Sequence, residues 1–162
     1  MLYPLSYGGL RRTSSSSSMR PRAVRAYPNA HYGELVPRVL VVDDAPSIRL
    51  LIRTNLELAG FDVEESVDGV DCLQHLAATD VLPDVVTVDV MMPKQDGMAT
   101  AAAIRSNPRT ADIGIVMVTT QGHPADVQRG IQAGVDAYVT KPFDPDELVA
   151  TVRDAVARRG AD

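Results

Sequence analysis

Short apolar runs alternate with longer amphipathic segments from Arg38 onward. Each run has four to six residues. All but the second run, which alternates apolar and acidic residues, are rich in β-branched side chains and almost continuously apolar, as strands covered by helices on both faces are. This alternation is typical of βαβ units on a parallel sheet. The predicted strands are Val39–Val42, Phe61–Ser66, Val85–Val88, Ile115–Val118 and Ala137–Thr140.

A helix-length segment follows each predicted strand. Proline at a first helical turn and glycine just past a helix end mark the limits of several of these segments. The predicted helices are Pro46–Ala59, Gly69–Ala78, Met98–Ser106, Pro124–Ala133 and Pro145–Arg158. Because helical connections between parallel strands are right-handed, we predict an α/β fold with a doubly wound, five-stranded parallel sheet in the flavodoxin-like order 2-1-3-4-5 and helices on both faces.

The first 35 residues differ from the rest of the chain. They combine the serine run Ser14 to Ser18 with scattered proline, glycine and arginine, and they have neither a helical nor a strand period. This composition predicts a disordered, basic, serine-rich leader at 1–35, followed by one folded domain at 36–160. Three alternatives stay open: an organelle transit peptide, an interaction arm, or a start codon assigned too early.

Charge and composition exclude several classes of protein. Residues 1–33 contain five arginines and no acid, which leaves a formal charge of −10 for residues 34–162. An acidic body has no electrostatic reason to bind nucleic acid, and no apolar run approaches the ~18 residues of a membrane-spanning helix. The single cysteine, Cys72, excludes an intramolecular disulfide and suits a reducing compartment. We therefore expect a cytoplasmic protein with no direct nucleic acid binding and no membrane contact.

Three acidic residues follow predicted strands directly. Asp43 and Asp44 come after the first strand, and Asp89 comes after the third. A single aspartate at such a place is more often a helix N-cap. Together, however, the three would converge at the switch point of the sheet and repel one another unless a cation compensates. Mg²⁺, which prefers oxygen ligands, fits such a cluster.

Two further polar residues end strands on the same rim of the predicted sheet. Thr119 comes directly after the fourth predicted strand, and Lys141 comes directly after the fifth. A hydroxyl donor and an ammonium that face a carboxylate cluster indicate that an anion also binds there. A transferred phosphoryl group is the natural anion for this arrangement.

Four stretches of the chain, in this order, resemble the receiver domain of response regulators, and the free-standing chemotaxis-type members in particular. The resemblance covers roughly Arg38 to Arg158. The matching stretches are Val39-Leu-Val-Val-Asp-Asp44, Asp89-Val-Met-Met-Pro-Lys-Gln-Asp-Gly97, Val116-Met-Val-Thr-Thr120 and Ala137-Tyr-Val-Thr-Lys-Pro-Phe143.

The resemblance implies a phosphoacceptor site with Mg²⁺ as its cofactor. Asp89 would accept a phosphoryl group from a histidine kinase or phosphotransfer protein. The metal would be held by Asp43, Asp44, Asp89 and the backbone carbonyl of Met91. Many family members carry Asn at the position of Met91, and a bulky apolar side chain there would hinder the attacking water. We therefore expect the phosphoryl group to persist longer here, with Gln121 as a competing influence.

The resemblance also implies a conformational switch. Thr119 would contact a phosphoryl oxygen, Lys141 would balance charge, and Pro142 would follow a cis peptide bond. Movement of Thr119 toward the phosphoryl group would let Tyr138 rotate inward; the alternative is an ordinary half-exposed tyrosine on the last strand. About twenty residues follow Lys141, which is room for one helix, so we expect the output to lie in a separate effector protein.

Two other readings compete with a receiver. A haloacid-dehalogenase-type phosphatase also forms an aspartyl phosphate, but it needs Asp-x-Asp-x-Thr after the first strand, where this chain has Asp43-Asp44-Ala45-Pro46. A flavodoxin-like cofactor binder needs a phosphate-cradling loop there, and an acidic pair would repel the phosphate. We therefore expect that the protein is not an enzyme, except that it catalyses its own phosphorylation and dephosphorylation.

Overall fold

The computed structural model describes residues 36–120 and 124–160. Five strands alternate with five helices along this part of the chain. The elements are β1 (Arg38–Val42), α1 (Pro46–Leu58), β2 (Asp62–Ser66), α2 (Gly69–Ala78), β3 (Val85–Asp89), α3 (Gly97–Ser106), β4 (Gly114–Thr119), α4 (Pro124–Ala133), β5 (Ala137–Thr140) and α5 (Pro145–Gly160). All ten predicted elements are confirmed, with ends that shift by at most two residues. The predicted leader at 1–35 and Gln121 lie outside the described residues.

The five strands form one parallel sheet in the order β2-β1-β3-β4-β5, which confirms the predicted topology. β1 lies between β2 and β3, and Val42 pairs with Val88 near the carboxyl ends of β1 and β3. Asp89 pairs with Val118, and Thr119 pairs with Thr140. This register brings the last residues of β1, β3, β4 and β5 to one rim of the sheet.

Two apolar clusters cover the two faces of the sheet. On one face, Ile52 and Leu56 of α1 pack with Leu148 and Val152 of α5. The other face is covered by α2 and α3, and Cys72 is fully buried there. Burial raises the pKa of the Cys72 thiol to about 12, as expected for a cysteine that packs as a small apolar group. In the described part of the chain, no helix has the length and apolar character to cross a bilayer.

Candidate functional site

The three predicted carboxylates lie together at the sheet rim. Asp43, Asp44 and Asp89 each offer one carboxylate oxygen, and these oxygens all lie within 4.8 Å of one another. Asp43 is 1% exposed and Asp89 is 9% exposed, whereas Asp44 faces solvent. The cluster is therefore set into the protein on one side and open to solvent on the other.

Lys141 reaches the carboxylate cluster from the end of β5. Its Nζ lies 2.8 Å from Asp43 Oδ2 and 3.4 Å from Asp89 Oδ2. The backbone N–H of Lys141 donates to the carbonyl oxygen of Thr119 at 2.7 Å. The peptide bond from Lys141 to Pro142 is cis, as predicted. The ammonium is thus shared between the two buried carboxylates.

Burial and charge act against each other at this cluster. Burial raises the pKa of Asp89 above its ordinary value, and the Lys141 ammonium offsets part of that rise. Burial alone would lower the pKa of Lys141, but the hydrogen bond to Asp43 and the negative charges of Asp43 and Asp89 outweigh it, so the pKa is raised. Lys141 is therefore cationic at neutral pH, and its one positive charge offsets only part of the charge of the three carboxylates.

This donor set fits a hard divalent cation. All three side chains offer carboxylate oxygens, which are the protein ligands that Mg²⁺ prefers. The negative charge left over by Lys141 favours the binding of a further cation. The predicted cofactor is thus compatible with the residues that the fold brings together.

The loop after β3 turns tightly beneath Asp89. The Met91 N–H donates to Asp89 Oδ1 at 3.2 Å, and the Gly97 N–H donates to the Val90 carbonyl oxygen at 3.0 Å. A Cβ on Gly97 would lie 2.3 Å from the carbonyl oxygen of Asp89, so a residue with a side chain does not fit there. The Met91 side chain is 73% exposed. Its carbonyl as a metal ligand stays a prediction.

Thr119 and Tyr138 occupy neighbouring strands on the rim side of the sheet. Thr119 is 3% exposed at the end of β4. The Tyr138 hydroxyl donates to the Val127 carbonyl oxygen of α4 at 3.3 Å, and a Cβ on Gly130 would lie only 1.2 Å from that hydroxyl oxygen. Tyr138 is half-buried, and its ring lies against α4. Its rotation stays a prediction.

Arg49 is a residue of the site that the sequence analysis missed. Its Nη1 donates to the backbone carbonyl oxygen of Asp43 at 2.8 Å, and its Nε lies 3.5 Å from Glu65 Oε1 on β2. The available signal was its spacing, because a residue six positions after Asp43 lies in the second turn of α1 and can fold back over the loop. The helical pattern by itself does not distinguish Arg49 from the other polar residues of α1.

Comparison with known proteins identifies what this arrangement resembles. The family model described as "Response regulator receiver domain" matches residues 39–153. The DNA-binding dual master transcriptional regulator RpaA of Synechocystis sp. is 43% identical over 124 residues, which are 76% of this chain and 50% of RpaA. Transcriptional regulatory protein PrrA of Mycobacterium leprae is 37% identical over 125 residues, which are 77% of this chain and 52% of PrrA. The chain thus spans about half the length of these curated relatives.

Solved structures agree with this similarity. Chemotaxis protein CheY4 of Vibrio cholerae superposes with a TM-score of 0.70 at 32% identity, over 75% of this chain and 99% of that protein. The Francisella response regulator 1452 receiver domain superposes with a TM-score of 0.69 at 30% identity, over 75% of this chain and 98% of that domain. Both matches cover nearly the whole of the compared structure.

Proposed function

Because the chain belongs to the response regulator receiver domain family, we propose that Asp89 is the phosphoacceptor of a two-component relay. The observation that carries this proposal is the cluster of three carboxylates within 4.8 Å, joined by the Lys141 ammonium. A histidine kinase or a phosphotransfer protein supplies the phosphoryl group. A bond forms between a carboxylate oxygen of Asp89 and phosphorus as the phosphorus–nitrogen bond of the donor phosphohistidine breaks. The electron pair of the broken bond goes to the imidazole nitrogen, which takes up a proton from solvent.

The residues around Asp89 position the reactants and balance charge. Lys141, already 3.4 Å from Asp89, would neutralise charge on the transferred group. The Thr119 hydroxyl would donate to a phosphoryl oxygen from the neighbouring strand end. Phosphoryl transfer requires little covalent catalysis by the protein, so positioning of the reactants and electrostatic stabilisation would supply most of the rate acceleration.

Mg²⁺ would be held by Asp43, Asp44, Asp89 and the carbonyl of Met91. When bound, it supplies positive charge that offsets the repulsion between the carboxylates and the incoming phosphoryl oxygens. The exposed Met91 side chain stands two residues after the acceptor. We propose that it hinders water and prolongs the phosphorylated state.

Incubation with acetyl phosphate and Mg²⁺ tests the proposal. We expect stoichiometric labelling of the wild type and none of Asp89→Ala, because the acceptor oxygen is gone. The control is Asp154→Ala, which removes an exposed carboxylate on α5 and should label as the wild type does. Continuous turnover would instead support a phosphatase, and undiminished labelling of Asp89→Ala would contradict the assignment of the acceptor.

The phosphorylated domain would act on an effector through protein contacts. RpaA is named as DNA-binding, but residues 34–162 of this chain carry a formal charge of −10, which disfavours contact with nucleic acid phosphates. We propose that these residues do not bind nucleic acid themselves. Saturable binding of labelled duplex DNA at low salt by the phosphorylated protein would contradict this.

A further inference from the structure

Arg49 connects the acidic loop after β1 to the sheet. One arm of its guanidinium donates to the backbone carbonyl oxygen of Asp43 at 2.8 Å. The Nε lies 3.5 Å from Glu65 Oε1, and the side chain is only 16% exposed. Arg49 is therefore held between α1, β2 and the loop that carries Asp43 and Asp44.

The Asp43 N–H donates to the Ser66 carbonyl oxygen at 3.3 Å, and two further contacts of this loop use the carboxylate of Asp43. Asp43 Oδ1 accepts from the Ala45 N–H at 2.9 Å, and Oδ2 accepts from Lys141 at 2.8 Å. The N-cap of α1 is Ala45, which offers no side-chain cap. A cation that takes an oxygen of Asp43 competes with the Ala45 N–H and Lys141 contacts. The bond from Arg49 goes to a main-chain oxygen, so it can persist when the carboxylate turns to a metal.

We propose that Arg49 is a positioning residue, which holds the Asp43–Asp44 loop in the geometry that a divalent cation requires. The inference rests on the proposed function, because it concerns the same metal site. Mg²⁺ demands near-octahedral placement of its ligands and tolerates displacement poorly. Groups that orient metal ligands without touching the metal commonly affect its affinity.

If Arg49 acts through its charge, its loss should change the Mg²⁺ affinity in one direction, and if it acts by positioning the loop, in the opposite direction. A guanidinium near the site repels a cation, so its removal would tighten Mg²⁺ binding if charge were its main influence. If Arg49 acts by holding the loop, its removal weakens binding. The sign of the change therefore separates the two roles.

Arg53 offers a matched control one turn further along α1. Its Nη1 lies 2.9 Å from Glu65 Oε2, and its Nε lies 2.8 Å from Glu57 Oε1. Arg53 and Arg49 thus share Glu65 as a partner, but Arg49 alone of the two has a hydrogen bond to the loop. Arg49→Met and Arg53→Met each remove one positive charge and one contact with Glu65.

The experiment is a calorimetric Mg²⁺ titration of the unphosphorylated full chain. We expect the Kd to rise about 10-fold in Arg49→Met, at the lower end of the range for groups that orient metal ligands. Arg49→Lys keeps the charge but lacks the planar fork, so it should also weaken binding. Arg53→Met should bind as the wild type does.

Binding by Arg49→Met that is as tight as the wild type, or tighter, would overturn the proposal, as would equal weakening by Arg53→Met. Circular dichroism checks that each variant folds. If Arg49→Met does not fold, the Mg²⁺ affinity of Arg49→Lys tests the proposal in its place. A wild type that binds no Mg²⁺ would overturn the proposed metal site together with this role. A wild type that binds, with unchanged Arg49 variants, overturns only the role of Arg49.

Discussion

Burial and the nearby Lys141 ammonium have opposite effects on the pKa of Asp89. Asp89 is 9% exposed, and burial raises the pKa of its carboxyl group, while Lys141 pulls the pKa back down. Asp43, which shares the same ammonium, adds repulsion. Where the folded-state pKa of an acid lies above its unfolded value, the ionised group destabilises the fold at neutral pH, and this cost is relieved as pH falls through the folded-state pKa.

Asp89→Asn should therefore raise the free energy of unfolding at pH 7 without Mg²⁺, by about 1 kcal/mol. Lys141 keeps its 2.8 Å contact with Asp43 in this variant. The gain should shrink as pH is lowered, because Asp89 of the wild type then becomes protonated in the folded state. Denaturant titrations in EDTA at pH 7 and at lower pH measure both effects. A variant less stable than the wild type at pH 7 would contradict this account of Asp89.

The contact between α4 and β5 depends on the absence of a side chain at Gly130. A Cβ on Gly130 would lie 1.2 Å from the Tyr138 hydroxyl oxygen and 2.4 Å from Cζ of its ring. The hydroxyl also donates to the Val127 carbonyl oxygen. The position of the Tyr138 ring is thus set by a glycine on the neighbouring helix.

Gly130→Ala should destabilise the protein despite the better helix propensity of alanine. Alanine in a helix interior gains about 1 kcal/mol over glycine, whereas overpacking costs about 1–3 kcal/mol. In a Tyr138→Ala background the clash is gone, so the same substitution should be neutral or stabilising. A double-mutant cycle of unfolding free energies measures this coupling. Equal effects of Gly130→Ala in both backgrounds would show that the two residues do not interact.

The sequence predicts the elements well because the buried strands leave a direct signal. Val39–Val42 is a continuous apolar run and Val85–Val88 is interrupted only by Thr87, and the acidic residues that follow them, Asp43, Asp44 and Asp89, lie on one rim. The fit of Tyr138 against Gly130 leaves no such signal, because it depends on the distance between a helix and a strand. The bond from Arg49 to Asp43 was missed for a similar reason, since it depends on the direction of one long side chain.

At the scale of the whole molecule, the proposed metal site would couple the binding of a cation to folding. Asp43 and Asp44 come from one end of β1, and Asp89 comes from β3, 45 residues beyond Asp44. The three carboxylate oxygens come within 4.8 Å of one another through the pairing of the two strands. An ion that needs all three binds the folded chain far better than the unfolded chain.

Mg²⁺ should therefore raise the thermal stability of the unphosphorylated protein. The expected gain is RT ln(1 + [Mg²⁺]/Kd), about 1.4 kcal/mol at ten times Kd, and Lys141 reduces it by competing for Asp43 and Asp89. Asp44→Ala should lose most of the gain, because it removes one proposed ligand. Melting curves over a series of Mg²⁺ concentrations measure the effect, with Asp154→Ala as a control that should respond as the wild type does. An equal response in Asp44→Ala would contradict the metal site.

The position of Tyr138 against α4 also determines how the protein can be observed by spectroscopy. The chain has no tryptophan and five tyrosines, and Tyr138 is the one tyrosine that follows residue 35. Among residues 36–120 and 124–160, the ultraviolet signal above the phenylalanine bands therefore comes from a single ring. Because Tyr138 belongs to β5 and its ring touches α4, its fluorescence and near-ultraviolet circular dichroism report on the contact between these two elements in a chain from which the four tyrosines before residue 36 have been removed.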